Sequence, residues 1–171
     1  METREIYKRV LKFVSLALND QTIKVIIAEQ NAPFPTKPFV TVRLMSTQNI
    51  HHVENFKPQT DNSEKKLYFK NATVRLQCYS DDIFKSFEIL EKVKPAFDTD
   101  IKYAAFENKM GYVRDNFQVT NVSTQLDTET EYRAAYEFIL CYSSEYITQG
   151  YSINHIDIHD EVSGDDILID I

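Results

Sequence analysis

Ala72-Thr73-Val74-Arg75-Leu76-Gln77-Cys78-Tyr79-Ser80-Asp81-Asp82-Ile83-Phe84 is the stretch on which the fold turns. Up to Tyr79 the residues Ala72, Val74, Leu76 and Cys78 alternate with Thr73, Arg75 and Gln77. Successive side chains of a strand point to opposite faces, so 66–79 is predicted as a long strand with one buried face. Beyond Asp81 the period changes. Ile83, Phe84, Phe87, Leu90 and Val93 recur at three- and four-residue steps, the stripe of a helix packed on a core. Asp81 is expected as the N-cap of a helix over 82–94, because its carboxylate can accept first-turn N–H groups. Glu88 and Lys92 make a helpful i,i+4 pair. Pro95 closes the helix or sits just beyond it.

Upstream, Ile6, Val10, Phe13, Val14 and Ala17 predict a first helix over 2–18, with Glu2 and Glu5 suiting its positive N-terminal end and Asn19-Asp20 stopping it. Ile23 to Ala28 reads as a short apolar strand. Pro33, Pro35 and Pro38 make 31–38 a rigid loop. Phe39 to Ser46 reads as a strand with Val40, Val42 and Leu44 on one face. The polar stretch 47–65, with His51-His52, Phe56, Pro58 and Gln59-Thr60-Asp61-Asn62-Ser63, is expected as a long loop or hairpin arm. Downstream, 98–114 is ambiguous, with Lys102 to Phe106 a short strand or a helical turn. Phe117–Leu126, Tyr132–Tyr146 and Tyr151–His159 read as strands, and Tyr132, Ala134, Tyr136, Phe138, Leu140 and Tyr142 share a face. Strands in runs with few helices predict an α+β fold. Its mainly antiparallel, mixed sheet would have about five to six strands, with two main helices packed on one face. A single domain over 1–160 and an acidic tail over 161–171 are expected.

The 171 residues are 43% hydrophobic and 26% charged, enough for an ordinary core. The three glycines, Gly111, Gly150 and Gly164, stand far apart. A P-loop or a dinucleotide-binding loop is thereby excluded, since both need clustered glycine to admit phosphate. Met1-Glu2-Thr3-Arg4-Glu5 lacks the basic-then-apolar order of a signal peptide, and no apolar run approaches the ~18 residues of a membrane span. A soluble chain assembled in the cytoplasm, with no membrane partner, is expected. Charge is uneven. The net charge is −7, and after Arg133 there is no Lys or Arg, only Glu137, Glu145, Asp157, Asp160, Glu161, Asp165, Asp166 and Asp170. Those eight leave 18 acids against 19 bases in the rest of the chain. The acidic end repels phosphate, so it would solubilise, meet a basic partner or face passing DNA without gripping it.

Candidate chemistry is sparse. Cys78 and Cys141 sit singly in apolar runs and make no zinc knuckle. His155-Ile156-Asp157-Ile158-His159 holds three metal-ligating residue types on one strand face. Its two histidines would stand roughly 13 Å apart along a strand, too far for one ion with ~2 Å bonds. His51 and His52 are adjacent and would lie on opposite strand faces. There is no G-x-S-x-G elbow. Neither catalysis nor a cofactor is expected. A metal-dependent enzyme is the reading from a different class, which tightly bound zinc or manganese would favour. The aromatics are plentiful, 10 Tyr and 11 Phe, and Tyr in excess on strand faces suits a protein–protein interface.

Three segments taken together carry a resemblance. They are Val25-Ile26-Ile27-Ala28-Glu29-Gln30-Asn31-Ala32-Pro33-Phe34-Pro35 running into Pro38-Phe39-Val40-Thr41-Val42, then Ala72 to Ser80 leading into the helix, then Thr124-Gln125-Leu126-Asp127 through Glu131-Tyr132-Arg133-Ala134 to Gly150-Tyr151-Ser152-Ile153-Asn154-His155-Ile156-Asp157-Ile158. In that order and spacing the chain resembles the tailed-bacteriophage neck or tail-terminator family, over about residues 5–160. The family pattern has a Gly near the start of the second helix, where this chain has Ser80-Asp81-Asp82. The resemblance implies a structural virion protein that forms a ring, typically a hexamer, at the head-proximal end of the tail tube. It implies itself, the tail tube protein and the head connector as partners, DNA passing through the lumen without specific binding, and neither cofactor nor active site. Another head–tail joining or tail-completion protein is the neighbouring reading. Interface candidates are His51, His52, Glu54, Phe56 and Lys57 on the arm, Glu131 and Arg133, and Ile167, Leu168 and Ile169, whose alternation would suit strand addition to a neighbour. Asp157, Asp160, Glu161, Asp165 and Asp166 are candidates for an acidic lumen or partner face.

Overall fold

The computed structural model describes the backbone of residues 2–28, 31, 33–56, 63–115, 118–126, 129–149, 155–159 and 166–170; side chains are described for these except 51–56, 63–66, 129, 146–149, 155–159 and 166–170. Contacts divide the chain into two compact units, Met1–His52 with Tyr68–Ser144, and Val53–Leu67 with Glu145–Ile171.

In the first unit, α1 (Thr3–Leu18) buries Ile6, Val10, Phe13, Val14 and Leu18 along one stripe. It stops where Asn19 turns left-handed at φ 46° and donates its N–H to the Ser15 carbonyl at 3.2 Å, a conformation Asn tolerates. Arg9, also buried, ties this helix to α4 (Ile101–Phe106). It pairs with Glu5 at 2.7 Å and Glu107 at 3.2 Å and donates to the Phe106 carbonyl at 3.0 Å.

A mixed sheet runs in the order β1 (Lys24–Ile27), β2 (Phe39–Phe56), β3 (Ser63–Ser80), β7 (Glu129–Gln149), β4 (Met110–Asp115). Two short strands, β5 (Thr120–Asn121) and β6 (Thr124–Leu126), also pair with β7 and bring the total to seven. β1 lies parallel to β2, with Lys24 opposite Phe39 and Ile27 opposite Val42. β4, β5 and β6 are antiparallel to β7. Helices α2 (Ile83–Glu91) and α3 (Val93–Ala96) join α1 and α4 in covering one sheet face. The core there takes Val40 and Val42 from β2, Ala72, Val74, Leu76 and Cys78 from β3, and Ala134, Tyr136, Phe138, Leu140 and Tyr142 from β7. The fold is α+β, and the buried sets on β3 and β7 are those the alternation predicts, apart from Tyr132, which is exposed.

Other boundaries shift for local reasons. Asp82, not Asp81, caps α2, its carboxylate accepting from the Phe84 N–H at 3.1 Å. The buried stripe is consequently Ser86, Ile89, Leu90 and Val93, and Phe84 is 75% exposed. The helix expected over 82–94 is interrupted at Lys92, and Pro95 lies inside α3. Residues 102–106 are helical. Strand covers 47–56 and 63–65, most of the stretch expected as a loop or hairpin arm. The segment 118–126 is two short strands because the Asn121 carboxamide accepts the Ser123 N–H at 2.9 Å, a local turn within the ladder. In the second unit β8 (His155–His159) pairs antiparallel with β9 (Asp166–Asp170). Residues 57–62 (Lys57 among them), Phe117, Tyr151, Asp160, Glu161 and Asp165 lie outside the described residues. Among the described residues no helix is long and apolar enough to cross a membrane.

Candidate functional site

The odd-numbered positions of β3 and β7 lie on the face away from the helices. Two features are built there. The first is a stack of rings. Pro33 and Pro35 flank Phe34, whose ring lies on Phe39 at 5.6 Å between centroids and 17° between planes. Phe39 lies on Tyr79 at 4.6 Å and 8°. The Arg133 guanidinium sits over the Tyr79 ring at 4.9 Å. Arg133 is itself held. It pairs with the Glu131 carboxylate, its backbone N–H donates to the Ser123 hydroxyl at 3.1 Å, and its carbonyl accepts the Val122 N–H at 3.0 Å. Each aromatic pair contributes about 0.5–1.5 kcal/mol beyond area burial, and the cation over the ring about 0.5–1 kcal/mol. Phe39 and Tyr79 are buried, yet Phe34 is 66% exposed. The result is a large apolar ring held in place while facing solvent, the character of an interface anchor.

The second feature is a cleft of about 390 Å3 lined by Arg75, Gln118, Thr120, Val122, Ala135 and Glu137. Arg75 donates through Nε and Nη2 to one oxygen of Glu137. Both charges lining the cleft are therefore paired, which fits a neutral polar surface better than a site for an anion.

The perturbed thiols and phenols favour their neutral, unreactive forms, whereas hydrogen bonds from Thr22 and from Arg9 hold the Asp20 and Glu107 carboxyls below the usual carboxylate range. Burial pushes the Cys78 thiol up to about 12 and raises Cys141, so neither supplies a ready thiolate. Burial, then the Asp115 carboxylate, raises Tyr136 and takes Tyr112 to about 12. The Tyr136 hydroxyl donates to the buried Asp115 carboxylate at 2.6 Å and fixes the end of β4. Among residues with described side chains, no three His, Cys, Asp or Glu gather as a metal-binding group.

Of the residues singled out in the sequence, Glu131 and Arg133 come together as an ion pair on this open face. His51, His52, Glu54 and Phe56 lie on β2, outside the stack. Ile167, Leu168 and Ile169 lie on β9, opposite Ile158, Asp157 and Ile156 of the same chain, and Asp166 lies opposite His159. The tail is thus already paired along one edge. Phe34 and Tyr79 were not singled out as interface residues. The available signal was a Phe between two prolines, and a Tyr at a position of opposite parity to the buried Leu76 and Cys78.

A family model described as "Phage neck terminator protein" matches residues 4–167. No curated protein matches the chain.

Proposed function

From the premise that this chain belongs to the phage neck terminator family, and so is a structural protein of the virion neck, we propose that it is a ring subunit capping the head-proximal end of the tail tube and joining it to the head connector. The observation that carries this reading is the family match across nearly the whole chain. The open sheet face supports it. A closed ring needs two different surfaces on each subunit, one fitting the other, and the Phe34–Phe39–Tyr79–Arg133 stack offers one preorganised apolar surface with a polar rim. The partner of that surface is a neighbouring copy. His51, His52, Glu54 and Phe56 of β2, Lys57 next to them in the sequence, and Ile167, Leu168 and Ile169 of β9 are further contacts to a neighbour or a stacked ring. Asp157, Asp160, Glu161, Asp165 and Asp166 belong to the acidic surface past which DNA moves without binding.

The test is negative-stain imaging and co-sedimentation of the purified protein with purified tail tubes. A ring on one tube end supports the reading. Tubes that stay bare at both ends, with the protein left in the supernatant, overturn it. Phe34→Ala is expected to cut tube-bound protein at least tenfold, with an unchanged circular dichroism spectrum.

A further inference from the structure

We propose that the cleft between α4 and β4 receives Phe34 of a neighbouring copy, so that each chain carries a knob at one end of its sheet and a hole at the other. This rests on the ring reading and names the second surface that such a contact needs.

The cleft holds about 280 Å3. That is below the roughly 300–1,000 Å3 of small-molecule sites and suits a single large side chain. Its lining is mainly apolar and aromatic. Phe97, Phe106 and Met110 are buried, Tyr112 stacks on Phe97 at 4.2 Å between centroids, and Tyr103 is 57% exposed. An incoming ring gains contact with other rings and with the Met110 thioether. Phe34 is such a ring, seated on Phe39 and otherwise largely uncovered.

Placement supplies the second argument. Phe34 lies on the connection between β1 and β2, at one end of the strand order, and Met110, Gly111 and Tyr112 lie on β4 at the other end. Four strand spacings of about 4.8 Å put β1 and β4 roughly 19 Å apart. Held on Phe39 and Tyr79, Phe34 does not reach the cleft of its own chain. A knob and a hole at opposite ends of one sheet make a head-to-tail contact, the kind that closes into a ring.

Charge selects the occupant. Lys37 is the sole charged residue in 31–38 and is exposed. Two charged residues, Asp98 and Lys102, line the cleft. The Lys102 ammonium lies over the Tyr103 ring at 5.0 Å, which leaves the exposed Asp98 as the lining charge open to a partner. Lys109 is exposed but does not line the cleft. Lys37 set against Asp98 of the neighbour fixes the register of the knob in the hole.

The test mixes full-length protein carrying a photoreactive phenylalanine analogue at position 34 with unmodified, heavy-isotope-labelled protein. The mixture is irradiated both free at high concentration and on purified tail tubes, and crosslinked peptides are mapped by mass spectrometry. The expected crosslinks join light position 34 to heavy residues within 97–112. Lys37→Glu in the light chain or Asp98→Lys in the heavy chain should each lower their yield at least fivefold, and the two together should restore it to within twofold. Circular dichroism checks that each variant is folded. Crosslinks from position 34 to other residues of a second copy, to the tube protein, or to no other chain in either sample overturn the proposal, and so does a yield that neither single reversal lowers. Imaging of the same tubes reads the neck assignment separately. Rings on a tube end with position 34 crosslinked elsewhere leave that assignment standing and overturn this contact, whereas with bare tubes the crosslinks of the free sample still decide it.

Discussion

On β3 and β7 the same backbone presents two faces with different residues and different consequences. Even-numbered positions from Ala72 to Cys78 and from Ala134 to Tyr142 are buried under the helices in one continuous core. Odd-numbered positions carry Thr73, Arg75, Gln77, Glu131, Arg133 and Glu137, mostly half-buried, with their charges paired along the sheet. The difference separates two jobs. The helix-covered face supplies stability through burial and close packing. The open face carries a pattern of rings and ion pairs; its ion pairs contribute little to holding the chain together, while its ring stack buries Phe39 and Tyr79.

Substitutions of matched kind should fall apart along that division. Phe138 is buried and packs edge-on to Phe97 at 5.0 Å, so Phe138→Ala is expected to cost about 3–5 kcal/mol in denaturant unfolding. Gln77→Ala, on the opposite face of β3, is expected to cost no more than about 0.5 kcal/mol. Equal losses would erase the distinction. At the strand-to-helix junction, Asp82→Ala should cost about 1 kcal/mol through loss of the cap, while Asp81→Ala should leave the unfolding midpoint where it is. The reverse order would mean that the helix begins one residue earlier. The cysteines probe the two faces without mutation. Cys78 is buried on the helix side with its thiol pushed up to about 12, whereas Cys141 is on the other face and only partly buried. At pH 8 a thiol-alkylating reagent should modify Cys141 first and reach Cys78 only when the protein unfolds. Mass spectrometry of tryptic peptides over time reads the order, and early labelling of Cys78 would contradict the packing described.

Much of this is legible in the sequence, and the reasons differ by element. Alternation in 72–78 and 134–142 is visible because each core position is apolar and its neighbours are mostly not. The second helix was misplaced by one residue because Ser86 occupies a core position. A buried serine whose hydroxyl donates to the Asp82 carbonyl at 3.3 Å carries no apolar signal, whereas Phe84 carries a strong one while facing solvent. The length of β2 was hidden for a related reason. Beyond Ser46 it is polar, and strand preference there depends on pairing with a neighbour more than on composition. The ring stack was half legible, since Phe34 and Phe39 lie close in sequence while Tyr79 is far along the chain and meets them only when β2 and β3 align. The pairing of β9 with β8 could not be read from the tail alone, because a ladder partner is a property of two segments.

The central claim is that the open face, with Phe34 as its anchor, joins copies of this chain into a ring on the tail tube. Crosslinking mass spectrometry on tube-bound full-length protein, with a photoreactive phenylalanine analogue installed at position 34, tests it most directly. The account predicts crosslinks from position 34 to a second copy of the chain, in a complex whose mass is a whole number of subunits on one tube end. Crosslinks confined to the same chain, or tube-bound protein that is monomeric, would contradict it.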